Sequence, residues 1–148
     1  MTEIREIAPT RSNLRKFTQF QIDLYKDNAY YVPPMVSDDV NTLDPRHNPA
    51  FDFCESAYFM AYRDGKPVGR IAAIINRQGN EKEGKKNARF GFVDFVDDRE
   101  VSAALFKAAE EWARSKGMDT LVGPLGFTDL DHEGMLVEGF EELSTMAT

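Results

Sequence analysis

FVDFVDDREVSAALFKAAEEWARSKGMDTLVGP, Phe92–Pro124, reads as an apolar strand, an amphipathic helix and a second strand joined by tight connections. Val101, Leu105, Ala108 and Trp112 recur at i, i+4, i+7 and i+11, one apolar stripe on a helix, and Lys116-Gly117 supplies a basic last turn and a glycine stop. Thr120–Gly123 is a short strand closed by Pro124. Strand, helix and strand in this order make a right-handed crossover, so the two strands are expected to be parallel. The first strand is expected over Ala88–Asp97, with Phe90, Phe92, Asp94 and Val96 on one face and Gly91, Val93 and Phe95 on the other.

Upstream of this unit, Ser56–Tyr62 and Pro67–Asn76 flank Arg63-Asp64-Gly65-Lys66, which predicts a β-hairpin around an Asp-Gly turn. Between hairpin and strand, Arg77–Arg89 is dense in charge of both signs and reads as a solvated loop. Glu3–Ala8 predicts a short strand ended by Pro9, and from Ser12 onward Leu14, Phe17, Phe20 or Gln21, and Leu24 predict a helix capped by Ser12 or Asn13. Asp27–Pro49 is broken by prolines, yet Val36, Val40 and Leu43 keep a helical spacing, which predicts a short second helix. After Gly126 the pattern weakens to glycine and acidic breaks around one apolar patch, Met135–Val137. A core over 1–126 and a tail over 127–148 leading into a further part are expected.

The chain has 148 residues, a length suited to one domain, with 42% hydrophobic and 29% charged content. A formal charge of -7, without a basic stripe interleaved with aromatics, argues against nucleic acid as a partner. No apolar run reaches the length of a membrane span and MTEIREI lacks a signal-peptide pattern, so a cytoplasmic location without membrane partner is expected. One cysteine, Cys54, leaves no internal disulfide and no Cys cluster for metal, and His47 and His132 have no metal-site spacing to carboxylates. Without a basic neighbour in sequence, Cys54 reads as a small buried hydrophobe.

The order β-α-α-β-β-β-α-β, with the strings AYRDGKPVGRIA (Ala61–Ala72), FGFVDFVDD and ALFKAAEEWARSKGMDTLVGP, resembles the GNAT superfamily of acyl-CoA N-acyltransferases. DNAYYVPP, NPAF and GPLGFTDLDHEGMLVEGF are similar to a bacterial group of longer GNAT-like proteins, which implies that this chain is the N-terminal part of such a protein. The resemblance implies a mixed, mostly antiparallel α/β sheet whose last two strands splay near Gly123-Pro124. It also implies an acetyl-CoA or other acyl-CoA cofactor, a small-molecule or peptide amine as acceptor, and a sheet edge able to pair two copies if the last strands are missing.

In the family, the loop after the fourth strand follows [QR]-x-x-G-x-[GA], and its amides with the helix N-terminus hold the pyrophosphate. The matching positions here are Asp97, Glu100 and Ser102. The resemblance thus places Val93, Phe95, Val96, Asp97, Asp98, Arg99, Val101 and Ser102 along the cofactor, but two carboxylates stand in the cradle and no glycine does. Asp97-x-x-Glu100 is also a good capping box, which would occupy those amides. Like charges ~4 Å apart at an effective dielectric of about 20 differ by about 4 kcal/mol, of which Arg99 offsets a part. The turn is therefore expected to begin a helix rather than hold a phosphate, and a GNAT-fold binding module without acyl-CoA chemistry is the alternative to acyl transfer.

Asp94, the one carboxylate in the apolar part of that strand, is the candidate base for the amine, or else a carboxylate held by neighbouring donors. The tyrosine that the family uses as acid has no match after Tyr62. Tyr30, Tyr31, His47 and Asn48 are candidates for lining the acceptor pocket. Arg70, mid-strand among apolar residues, either pairs with a carboxylate such as Asp94 or contacts an anionic ligand. Asp129, Asp131, His132 and Glu133 form either a base or ion site or an acidic solvated loop.

Overall fold

The computed structural model describes residues 1–143. Its elements are β1 (Glu3–Ile7), α1 (Arg11–Tyr25), α2 (Val36–Leu43), a 3-10 turn (Pro49–Asp52), β2 (Cys54–Arg63), β3 (Lys66–Asn76), α3 (Arg77–Glu83), β4 (Asn87–Phe95), α4 (Arg99–Ser115) and β5 (Thr120–Val122). They build one five-stranded sheet in the order β1-β2-β3-β4-β5. The β1–β2, β2–β3 and β3–β4 pairs are antiparallel and β4–β5 is parallel, as the crossover requires. Asp64 and Gly65 make the hairpin turn with φ of 52° and 76°, the left-handed pair that a two-residue connection needs.

The sheet is covered on both faces. Leu14, Phe17 and Phe20 of α1 and Val40 and Leu43 of α2 meet Tyr58, Met60, Ala72, Ile74 and Phe127 on one side. On the other, Val101, Leu105 and Ala109 of α4 meet Ala57, Phe59, Ala61, Ile71 and Ala73. Alternate residues of β2 and β3 therefore enter opposite cores, which explains their nearly continuous apolar runs. The small residues of β3 allow a close approach: a Cβ at Gly69 would press against Leu105 and Val101.

Several expectations need correction. Arg77–Arg89 is not all loop, since α3 occupies Arg77–Glu83. Asn76 Oδ1 accepts from the Gly79 amide at 2.8 Å, and Gly84, at φ 66°, closes the helix. No residue of α3 is buried, so no apolar period marks it. The N-cap of α1 is Thr10, whose hydroxyl accepts from Asn13 N, rather than Ser12 or Asn13.

The alternation in β4 also breaks. Arg70 pairs with Asp94 and Ala72 with Gly91, leaving Phe92 and Val93 opposite Ile71 alone, and Phe92 has φ 47°. This is a β-bulge. Its extra residue sends Phe90 to the α4 core while Phe92 joins the α1 core, so these two do not share a face. Val96 likewise packs on the α4 side, apart from Asp94.

The β4–β5 ladder ends at the Arg89–Val122 pair, beside Gly123-Pro124 as expected, with one backbone bond beyond it. Leu125 N still donates to Phe90 O at 2.9 Å. The chain then crosses the α1 face, where Phe127 is fully buried and its carbonyl accepts from Arg89 and Asn76. Phe127, just beyond the expected boundary at 126, thus belongs to the core.

Candidate active site

Gln21 and Tyr25 continue the stripe of Phe17 along α1 at four-residue steps, on the side that lies over β3 and β4. The bulge in β4 points Asp94 at the same side, directly across from Arg70. Arg70 is 1% exposed and Asp94 9%. The Arg70 Nε and Nη2 atoms lie 3.0 and 2.9 Å from Asp94 Oδ2. Nη1 donates to the Phe17 carbonyl at 3.1 Å, and the guanidinium stands 5.0 Å from the Phe17 ring centre and 6.0 Å from that of Phe92. Of the two roles open to Arg70 in the sequence, the fold realises the pair with Asp94.

Asp94 is saturated by these neighbours. Gln21 Nε2 donates to Oδ2 at 3.3 Å and Tyr25 Oη to Oδ1 at 3.0 Å. A carboxylate held by a guanidinium and two further donors has few lone pairs left to face a substrate. The cluster extends outward through Tyr31, whose hydroxyl donates to Gln21 Oε1 at 3.1 Å and whose ring lies 5.2 Å from that of Tyr25. Burial first, and then the charge of Asp94, pushes both phenols up to about 12. Both therefore remain neutral donors through the physiological range.

Asp39 completes the constellation, although no pattern in the chain singles it out. It sits in the first turn of α2, one residue before the buried Val40. Burial raises its carboxyl above the ordinary carboxylate range, an effect that the charges of Arg70 and His132 partly oppose. Asp39 also acts on Tyr31. Tyr31, Asp39, Arg70 and Asp94 are thereby brought into one electrostatic neighbourhood from a loop, a helix and two strands.

Other candidates lie apart. His47 Nδ1 is 3.2 Å from Asp44 Oδ2, where Arg46 and Arg11 also converge. Arg46 foremost holds the Asp44 carboxyl far below its usual range. Asn48 donates to Thr42 O at 2.8 Å and caps the following turn through Ala50 N. Arg11 and Gln21 are ten residues apart on α1, about 15 Å, so this knot stands at the far end of the helix from Asp94. Tyr30 is exposed, its amide bonded to Asn28. Asp131 Oδ2 accepts from the amides of Phe127 and Thr128 at 2.8 and 3.1 Å and so orders its own loop. Cys54 is buried, and burial lifts its thiol to about 11, an inert setting. Among the described residues no cluster of His, Cys, Asp and Glu could hold a metal ion, and no helix is long and apolar enough to cross a membrane.

At the start of α4 the cap is Asp98, not Asp97. Asp98 Oδ1 accepts from Glu100 N at 2.9 Å. Glu100 does not reach back; Arg63, at the end of β2, binds Asp98 Oδ2 and Glu100 Oε2, each at 2.7 Å. The amides of Val96, Asp98, Val101 and Ser102 donate to backbone carbonyls of Val68, Val96 and Asp98. A pyrophosphate would meet mostly occupied amides and two carboxylates, with the Arg63 guanidinium already engaged by both and the exposed Arg99 left to offset them. The residues present do not fit that group at this turn.

No family model matches the chain. It is similar to Protein YghO of Escherichia coli K12, 35% identical over 131 residues, 88% of this chain and 33% of that protein. It is also similar to the bacterial ceramide synthase of Caulobacter vibrioides, 34% identical over 133 residues, 89% of this chain and 35% of that protein. The chain thus spans about a third of the length of these relatives. A tandem GNAT protein from the clavulanic acid biosynthesis pathway superposes with a TM-score of 0.63, at 20% identity over 82% of this chain and 35% of its own. The fold is that of the GNAT acetyltransferases. A predicted acetyltransferase from Clostridium acetobutylicum, solved with acetyl-CoA, shares this GNAT fold at a TM-score of 0.56 and 9% identity, over 85% of this chain and 82% of its own.

On this GNAT sheet the cluster around Asp94 offers neutral hydroxyl donors, a shielded ion pair and one half-buried carboxylate. That set can orient a polar, cationic group. Gln21, Tyr25 and Asp39 were missed in the sequence. Gln21 had left a trace, as a polar residue within the apolar stripe of α1.

Proposed function

We propose that this chain is the acceptor-binding part of an amine N-acyltransferase, which holds an amine over β4 against Tyr31, Asp39 and the Asp94 cluster. The observation that carries this reading is the shielded Arg70–Asp94 pair, bonded to Gln21 and Tyr25, on the α1 and α2 side of a GNAT sheet. The formal charge of -7 favours a cationic partner over an anionic one. A relative of 34% identity is named a ceramide synthase. A ceramide is the amide of a long-chain amino alcohol, so its formation is an amine acylation. The donor class suggested by the fold neighbours is an acyl-CoA, one of them having been solved with acetyl-CoA; docking of its pyrophosphate at the start of α4 is not part of the proposal.

The test is a titration of 2-amino-1,3-octanediol followed through tyrosine fluorescence and the amide shifts of Gln21, Tyr25 and Tyr31. The reading predicts saturable changes at these residues. Shifts confined to the far end of α1, or none, would contradict it.

A second reading, a GNAT-fold interaction module without acyl transfer, is favoured by the Arg63–Asp98–Glu100 closure of the α4 turn. Mass spectrometry of the chain incubated with acetyl-CoA and the diol separates the two. An amide product lost on Arg70→Met favours catalysis; amine binding without product favours the module.

A further inference from the structure

Arg63 is the last residue of β2, and its guanidinium reaches across to the start of α4. Nη1 lies 2.7 Å from Asp98 Oδ2 and Nη2 2.7 Å from Glu100 Oε2, while Nη2 also donates to Thr2 Oγ1 at 3.0 Å. One side chain thereby fastens the residue before β1, the end of β2 and the first turn of α4 to one another. Asp98 turns its other oxygen to its own helix, Oδ1 accepting from Glu100 N at 2.9 Å. The amides of Val96, Asp98, Val101 and Ser102 donate to backbone carbonyls, and the Ser102 hydroxyl donates back to the Arg99 carbonyl at 3.2 Å. Within 96–102 only Asp97 and Arg99 keep an amide without a partner among the described residues.

A helix start ordinarily attracts anions through unpaired amides and a partial positive charge. Here two carboxylates of the chain itself stand in that place, held there by Arg63. We infer that this three-way clasp is what closes the α4 turn to the diphosphate of an acyl-CoA, so that a donor of that class takes its diphosphate contacts away from residues 96–102. Arg63 and Asp98 are half-buried and Glu100 is exposed, so each ion pair alone adds little to stability. Their effect is on occupancy. A diphosphate would have to draw Arg63 away from two charge-assisted hydrogen bonds and then lie beside the carboxylates it had uncovered. The exposed Arg99 offsets only a part of that repulsion. The inference concerns the donor and is independent of where the amine is held.

The experiment titrates free coenzyme A into the whole chain and into a double variant, Asp98→Asn with Glu100→Gln, and follows the amide shifts of residues 96–102. Each protein is first confirmed folded by its melting transition. Asn still accepts at an N-cap, so the double variant removes two charges, keeps the helix start and releases Arg63 from both ion pairs. Glu110→Gln with Glu111→Gln, farther along α4, removes the same charge away from the turn and controls for a nonspecific effect. Glu100→Gln alone, which leaves the cap untouched, is the second variant. The inference predicts no saturable shift over 96–102 in the parent or the control. It predicts saturable shifts there in the double variant, with binding roughly tenfold or more tighter than in the parent, and a smaller gain in Glu100→Gln. Saturable shifts over 96–102 in the parent would overturn the inference. Equal gains in variant and control, or no gain in either variant, would overturn it too, because the clasp would then not be what closes the turn. Each of these outcomes leaves the acceptor-binding reading to be decided by the diol titration.

Discussion

Arg70 on β3 and Asp94 on β4 are register partners across the sheet, and their side chains meet under α1 with Nη2 2.9 Å from Oδ2. The bulge at Phe92 creates this meeting, because strict alternation from Phe90 would have turned Asp94 to the α4 side and the extra residue turns it to the α1 side instead. Removing one partner strands a buried charge. Arg70→Met is expected to lower stability by about 3–5 kcal/mol, while Arg70→Met with Asp94→Leu should lower it less. Urea unfolding of both single variants and the double variant gives the coupling; additive losses would contradict the pair's role.

The cap of α4 is a second point of decision. Asp98→Ala removes both the acceptor for Glu100 N and a ligand of Arg63, whereas Asp97 caps nothing. The melting temperature is expected to fall in Asp98→Ala and to stay at the parent value in Asp97→Ala. The opposite order would restore the capping box at Asp97–Glu100.

Asp44 carries a pH signature. Hydrogen bonds from Arg46 foremost, and from Arg11, lower its carboxyl in the folded chain below the ordinary value of about 3.9. The group therefore contributes stability above that value, and the contribution is lost as pH falls through the folded pKa. Asp44→Asn should be less stable than the parent at neutral pH, with the gap closing under strongly acidic conditions. A gap independent of pH in thermal melts would mean that the loss is one of packing alone.

Gly91 lies where the crossing chain touches β4, and a Cβ there would run into the Leu125 carbonyl. Gly91→Ala is expected to lower stability by about 1–3 kcal/mol through overpacking. Chemical denaturation measures it; an unchanged midpoint would show that 124–127 can move aside freely.

The hairpin, the parallel crossover and α4 were legible because their signals are local: an Asp-Gly turn, two-sided apolar strands and one unbroken helical stripe. α3 was not, because it buries nothing and is specified only by Asn76 and Gly84 at its ends. The bulge was invisible because it depends on a left-handed Phe92, a conformation no residue preference announces. At the site, Asp94 and Arg70 stood out as charges in apolar strands. Tyr25 and Gln21 reach Asp94 from about seventy residues away, and Asp39 looks like any acidic residue in a helical first turn until α2 is set over the sheet.

The most direct measurement of the central claim is to titrate acetyl-CoA and 2-amino-1,3-octanediol separately into the same folded sample, with amide shifts recorded throughout. The account predicts that the amine perturbs Tyr31 and the residues around Asp39, while acetyl-CoA leaves the amides of residues 96–102 unmoved. Saturable acetyl-CoA binding that shifts those amides would contradict it, showing that Arg63, Asp98 and Glu100 yield the turn to a pyrophosphate.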